Sequence, residues 1–334
     1  MTERHLGRFL GAADIAAVVL CALAFAAPWL TGNLFAFSVV NQILIATIAA
    51  YSVFVMLRMN LLTFAVPAFM AIGGFAAALI AKAGGTNVLL LGAVSFLVPA
   101  LVALPLGVLV LRLRGVYFVL VTFIFSEILR LFLFETPTLT GGSNGIAGVP
   151  AATFFAVSFS SSTAVLQVAA GIALVATVIT AALCRRCEQP FAAIDENETL
   201  AASLGLVIWR YKALGFVIAG GLAGLAGLAL VLMLLTAHPS SFSPLSSVNY
   251  ITYAIVGGRA SILGPVIGSA VLVFASNLFS SQGEYSQGFF GLLIILAILV
   301  ARGGIIGALQ ALLPRRRRRA AGVAGSAAKL PDAA

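Results

Sequence analysis

Nine apolar runs, each long enough or nearly long enough to cross the hydrocarbon core of a bilayer as a helix, occupy most of this chain. They cover residues 15–30, 39–57, 61–81, 88–111, 116–134, 164–183, 213–235, 262–279 and 288–301. A crossing helix needs about 20 apolar residues. A shorter run at 248–256 cannot span alone as a helix. The composition agrees, with 62% hydrophobic and only 9% charged residues, where a soluble domain carries about 25% charged. The missing charge implies a surface that faces lipid. In lipid the backbone must satisfy its own polar groups, which leaves helices and closed barrels. Runs of this length predict the first. The fold class expected is all-α: a polytopic transmembrane helical bundle of 8–10 crossings, with broken or short helices near residues 248–280.

The net charge of +9 would suit nucleic acid if it formed a patch. Its placement argues otherwise, because Lys and Arg fall between the apolar runs, where they set membrane orientation. With Arg4 and Arg8 on the cytoplasmic side, alternate crossings put Arg58, Arg112, Arg114, Arg185, Arg186, Arg210, Lys212 and Arg302 on that side too. Both termini are then cytoplasmic, including the Arg315 to Arg319 run. The short run sets the count. Residues 248–256 and 262–279 either both cross, with Gly257, Gly258 and Arg259 on the inner side, or both dip in from outside. Residues 1–312 form one transmembrane domain with a charged inner loop at about 185–212. Residues 313–334 are a basic tail without a packed core, and the Arg run suits anionic lipid.

The inner loop carries Asp195, Glu196 and Glu198, and no Lys or Arg between Glu188 and Trp209. Phe191, Ile194, Leu200 and Leu204 recur along it, and Gly205 follows the last of them, where helices commonly stop. Helices that lie on lipid are usually rich in Lys and Arg. A pair of short helices that docks a soluble protein fits better. Glu127 and Arg130, three apart in the fifth run, share one helix face. Ionisable groups inside a membrane are costly and usually paired. The two fit a functional pair and a structural one equally. Small residues such as Gly220, Gly224 and Gly227, and Gly73 and Gly74, allow close helix packing. Pro67, Pro99 and Pro105 suggest kinks or breaks. Cys184 and Cys187 form C-x-x-C without the partner ligands of a zinc or redox site. None of the three lysines, Lys82, Lys212 and Lys329, follows a Gly, so no P-loop is present. Neither an enzyme nor a resident cofactor is expected.

Five segments in this order resemble a known family. They are N-L-L-T-F-A-V-P-A-F-M-A-I-G-G-F from Asn60, L-R-G-V-Y-F-V-L-V-T-F-I-F-S-E-I-L-R from Leu113, and L-T-G-G-S-N-G-I-A-G-V-P from Leu139. A-A-I-D-E-N-E-T-L-A-A-S-L-G from Ala192 and the run from Arg210 through Gly224 follow. V-G-G-R-A-S-I-L-G-P-V-I-G from Val256 also fits, with Arg259 where Gly is common. The chain resembles the LivM-type permease subunits of branched-chain amino acid ABC transporters, from about Asn60 to Gly304. It departs at Thr63, at Phe64 to Pro67 and at Ala71, where the family usually has other residues.

The resemblance implies an importer in the bacterial inner membrane. Its partners would be a second homologous permease, two ATP-binding subunits that hold ATP and Mg, and an extracytoplasmic substrate-binding protein. It implies that the inner loop couples to the ATPase, with Ile194, Glu196, Ala202 and Gly205 as docking residues. Thr63, Phe64, Phe69, Glu127 and Arg130 are the candidates for the translocation path. Branched-chain amino acids are the expected substrates, with urea, short amides or aromatic acids as the alternative. A different class, an autonomous secondary transporter, would place ion coupling on Glu127.

Overall fold

The computed structural model describes residues 16–21, 34–154, 157–159 and 161–279, and single positions at 288, 291 and 305. The expected runs at 15–30 and 288–301 lie mostly outside these residues, and the tail at 313–334 lies entirely outside them. Within them the chain is helical almost throughout. The helices are α1 (Leu34–Leu57), α2 (Val66–Lys82), α3 (Val88–Val110), α4 (Val116–Glu135) and α5 (Ser162–Arg186). There follow two short helices, α6 (Glu188–Glu196) and α7 (Glu198–Ser203). The last three are α8 (Ile208–Leu234), α9 (Ser246–Gly257) and α10 (Leu263–Phe279). Five of them, α1, α3, α4, α5 and α8, are long and apolar enough to cross a membrane. On α3 and α4 the exposed positions are apolar, among them Leu101, Leu109, Val116 and Ile128. An apolar exterior of this kind is what a bilayer accepts.

The third apolar run is helical only from Val66 onward. A helix of 17 residues is about 25 Å long, short of a core about 30 Å thick. Residues 61–65 are not helical and supply the rest. Non-helical backbone at this depth leaves polar groups without the partners a helix provides. Hydroxyls take their place. The Phe64 N–H donates to Thr122 Oγ1 of α4 at 3.1 Å. The Phe64 carbonyl accepts from Ser126 Oγ of α4 at 2.7 Å and from Ser247 Oγ of α9 at 3.0 Å. Pro67 lies in the first turn of α2, where its missing N–H costs nothing.

The centre of the bundle is α8, which packs against α1, α2 and α3. Glycines set the closeness of these contacts. A Cβ on Gly227 would fall on the Met70 carbonyl of α2, and one on Gly224 would fall on the Ser95 carbonyl of α3. That carbonyl is the one Pro99 deprives of its helical partner, four residues on. Helix α3 nonetheless continues through Pro99 and Pro105. Ser95 Oγ in turn donates to the Gly73 carbonyl at 3.1 Å and ties α3 to α2.

Helices α9 and α10 form a hairpin whose tip lies at the end of the bundle that carries Arg58. There Arg58 Nη1 donates to the Ala260 carbonyl at 3.5 Å. Both helices therefore reach the end where α6 begins, and Gly257, Gly258 and Arg259 are at that end. The hairpin is sutured to α1 by hydroxyls and amides: Thr47 to Ser269 at 2.5 Å, and Asn277 to Gln42 at 3.1 Å. At the opposite end, β1 (Ile146–Ala147) and β4 (Thr236–Ala237) pair antiparallel, and β2 (Thr153–Phe154) pairs with β3 (Val157–Ser158). The first pair ties residues 146–147 to the chain just after α8, and the second is a local pairing of neighbouring residues.

Two outcomes follow from this packing. Ser126→Ala and Ser247→Ala should each cost under about 1 kcal/mol, because the other hydroxyl still serves the Phe64 carbonyl. The double variant orphans that carbonyl and should cost about 1–3 kcal/mol, more than the sum of the singles. Thermal unfolding in detergent measures both. Gly227→Ala should cost about 2 kcal/mol or more by overpacking, read as loss of monodisperse protein on size-exclusion chromatography.

Candidate functional site

The α6–α7 loop leaves the bundle where α5 ends in Arg185 and Arg186. Two apolar side chains hold α6 down: Phe191 is fully buried and Ile194 is 4% exposed. Asn197 then breaks the helix in extended conformation and caps α7, its side-chain oxygen accepting from the Leu200 N–H at 3.0 Å. Gly205 ends α7 with φ of 88°, and the Leu206 N–H closes back on the Ala201 carbonyl at 3.1 Å. A side chain there would meet open space, so the position needs glycine for its backbone angle and not for room.

Of the acids Asp195, Glu196 and Glu198, two are engaged within the chain. Asp195 accepts from Arg259 Nη2 at the hairpin tip, at 2.5 Å to one oxygen and 2.7 Å to the other. Glu198 pairs with Lys212 of α8 at 2.9 Å, and with Arg114 at 3.6 Å. Lys212 is only 3% exposed, so the Glu198 carboxylate is what makes its burial tolerable. Of the docking residues expected from the sequence, Ile194 therefore serves as the anchor of the loop, while Glu196, Ala202 and Gly205 are exposed together on it. Around them the structure adds exposed apolar side chains: Leu200, Leu204 (80% exposed), Val207 and Trp209. The recurrence of Leu200 and Leu204 was visible in the sequence. That Phe191 and Ile194 face the opposite way was not, because the break at Asn197 changes the helix direction.

The residues expected along a path are not brought together around one space. Thr63 is buried and its hydroxyl accepts from the Ala65 N–H, starting α2. The Phe64 ring meets Phe123 edge-on at 6.0 Å. Phe69 is buried between Phe125 and Phe216, with ring centroids at 5.9 and 5.6 Å. Glu127 and Arg130 form their i,i+3 ion pair on partly exposed α4, with the guanidinium 5.6 Å from the Phe134 ring. Sequence reasoning missed a polar cleft of about 210 Å³ between α1, α8, α9 and α10. Its signal was amide and hydroxyl side chains inside apolar runs, at Gln42, Asn249, Tyr253 and Asn277.

Two further patterns involve cysteine and serine. Cys184 and Cys187 are buried, and burial pushes the Cys187 thiol up against the opposing pull of Arg186. Among the described residues no group of three or more His, Cys, Asp or Glu is placed to hold a metal ion. Residues 141–145 spell G-x-S-x-G, the pattern of a nucleophile elbow, which needs a strand-to-helix turn. Ser143 instead lies in a single 3₁₀ turn that follows a one-turn helix.

The bundle, its loop and its interrupted crossing can now be compared with known proteins. The family model described as branched-chain amino acid transport system / permease component matches residues 35–298. The high-affinity branched-chain amino acid transport system permease protein LivM of Salmonella typhimurium (strain LT2) is 28% identical, over 71% of this chain and 62% of that protein. LivM of Escherichia coli (strain K12) is 27% identical over the same shares. The matched region thus spans less than two thirds of the length of these relatives. No solved structure gives a significant match. With a family model that covers α1 through α10 and beyond, this membrane protein belongs to the permease components of branched-chain amino acid transport systems.

Proposed function

We propose that the chain is the membrane-spanning permease subunit of an ATP-driven importer for branched-chain or related amino acids, in the bacterial inner membrane. ATP and Mg are held by two partner ATPases. A second permease and an extracytoplasmic binding protein complete the assembly. The observation that carries this reading is the α6–α7 loop. It is anchored from beneath by Phe191, Ile194 and two ion pairs, and it presents Glu196, Ala202 and Gly205 among exposed Leu200, Leu204, Val207 and Trp209. A firm base under an apolar exposed face is what a permanent partner requires. The basic residues Arg58, Arg112, Arg114, Arg185 and Arg186 lie at the same end, which supports a cytoplasmic loop by the positive-inside rule. Residues 1–312 then form the permease domain, and 313–334 a basic cytoplasmic tail suited to anionic lipid.

The Asp195–Arg259 pair supports a route for coupling. It links α6 directly to the tip of the α9–α10 hairpin. Both groups are partly exposed, so the pair is worth under about 1 kcal/mol. It biases the position of the hairpin and still breaks within a transport cycle. A motion of the loop driven by the ATPases is handed to α9 and α10 through it.

Glu196→Lys combined with Ala202→Arg should abolish co-purification of a P-loop ATPase in mild detergent and leave the melting temperature unchanged. Retained co-purification would sink the assignment of the docking face. Glu198→Ala strands the buried Lys212 and should lower stability by about 3 kcal/mol, measured by thermal unfolding. Glu127→Gln separates this reading from an autonomous ion-coupled transporter. ATP-dependent uptake in proteoliposomes should persist, whereas an ion-coupled carrier would lose its coupling.

A further inference from the structure

We propose that the cleft between α1, α8, α9 and α10 is a solute-binding station inside the membrane, built for a small solute without net charge that has both hydrogen-bonding groups and an apolar part. The proposal rests on the permease reading and names the place of the solute within it.

Depth comes first. Gln42 lies 15 positions before Leu57, the end of α1 at the charged end of the bundle, or about 22 Å along a helix of 24 residues. The cleft is therefore well inside the apolar part of the bundle. Yet seven of its lining side chains carry hydrogen-bonding groups. Packing does not call for them, since polar groups in an apolar medium are costly unless paired. Elsewhere along this seam they are paired, as Thr47 is with Ser269. In the cleft they are not all paired. Among the described residues, the side chains of Asn249, Tyr250, Tyr253 and Ser276 make no hydrogen bond to the protein. These side chains line the space, where a solute or water can meet them.

The walls define the class of solute. The lining offers amides and hydroxyls from Gln42, Asn249, Tyr253 and Ser276, interspersed with apolar Ile45, Leu230 and Val273. Among the described residues, no Asp, Glu, Lys, Arg or His lines the space. A solute with net charge would lose its hydration there and gain no counter-ion. A zwitterion or a neutral amide finds donors and acceptors. The volume, about 210 Å³, is below the range of about 300–1,000 Å³ for drug-sized ligands, which limits the solute to the size of an amino acid or short amide. Two walls, α9 and α10, belong to the hairpin that Arg259 ties to Asp195, so movement of the α6 loop reshapes the cleft.

The test uses the complete transporter in proteoliposomes, with labelled leucine and labelled lysine as probes. Asn249→Leu should cut ATP-driven leucine uptake at least tenfold, equivalent to about 1.4 kcal/mol, with ATPase co-purification intact. Asn249→Asp should shift the lysine-to-leucine uptake ratio upward at least tenfold, because it supplies the missing counter-charge. Unchanged uptake and ratio in complexes that still carry their ATPase would overturn the proposal. A second arm needs no partner. Ser276→Cys in the full chain should react with a membrane-impermeant thiol reagent above the background of the native cysteines. Absence of that reaction would overturn the cleft as an aqueous station. Loss of ATPase binding by the unmodified chain would instead strike the permease reading, and the thiol arm would still decide the cleft.

Discussion

Everything in this bundle depends on one constraint: in a medium without water, each backbone N–H and C=O must find its partner inside the protein. Helices meet it automatically along α1, α4, α5 and α8. The instructive place is the one where the helix is given up. At residues 61–65 the chain is not helical, and three hydroxyls from two other helices replace the missing ladder at Phe64. Those hydroxyls fix where α2 starts and hold α4 and α9 against it. A local backbone requirement thereby sets the arrangement of elements far apart in sequence.

The second determinant is how closely backbones approach. Along α8 the glycines let α2 and α3 come so near that a single methyl group would strike a carbonyl. Packing of this kind replaces the hydrophobic effect, which gives helices no reason to associate within lipid. The α1 seam with the hairpin is built differently: an apolar cluster of Ala46, Ala50, Val256, Leu272 and Val273 is supplemented by amide and hydroxyl contacts. The molecule thus combines one interface of close backbone packing with another that adds side-chain hydrogen bonds.

The apolar runs made the helices legible, and the turn at Gly257–Gly258 marked the hairpin. What remained hidden has a common cause. Residues 61–65 are as apolar as a helix, and only the placement of Thr122, Ser126 and Ser247 shows why they need not form one. Asp195 and Glu198 read as surface acids because Arg259 and Lys212 lie 64 and 14 positions away. Attention to ionisable groups singled out Glu127 and Arg130, which satisfy each other on α4. The cleft escaped notice because its polar groups are neutral and come from three helices far apart in sequence: Gln42 on α1, Ser246, Asn249, Tyr250 and Tyr253 on α9, and Ser276 and Asn277 on α10. Periodicity reports which way a helix faces water or lipid, and it carries no information about a third surface that faces an internal space.

The glycine contacts around α8 have a mechanical meaning. Where backbone touches backbone, no side chain remains that could change rotamer and let one helix slide past another. Helices α2, α3 and α8 are therefore held in a fixed register. The seam between α1 and the hairpin also carries side-chain hydrogen bonds, Thr47 to Ser269 and Asn277 to Gln42, and under the proposed function it is the joint at which the two parts would move.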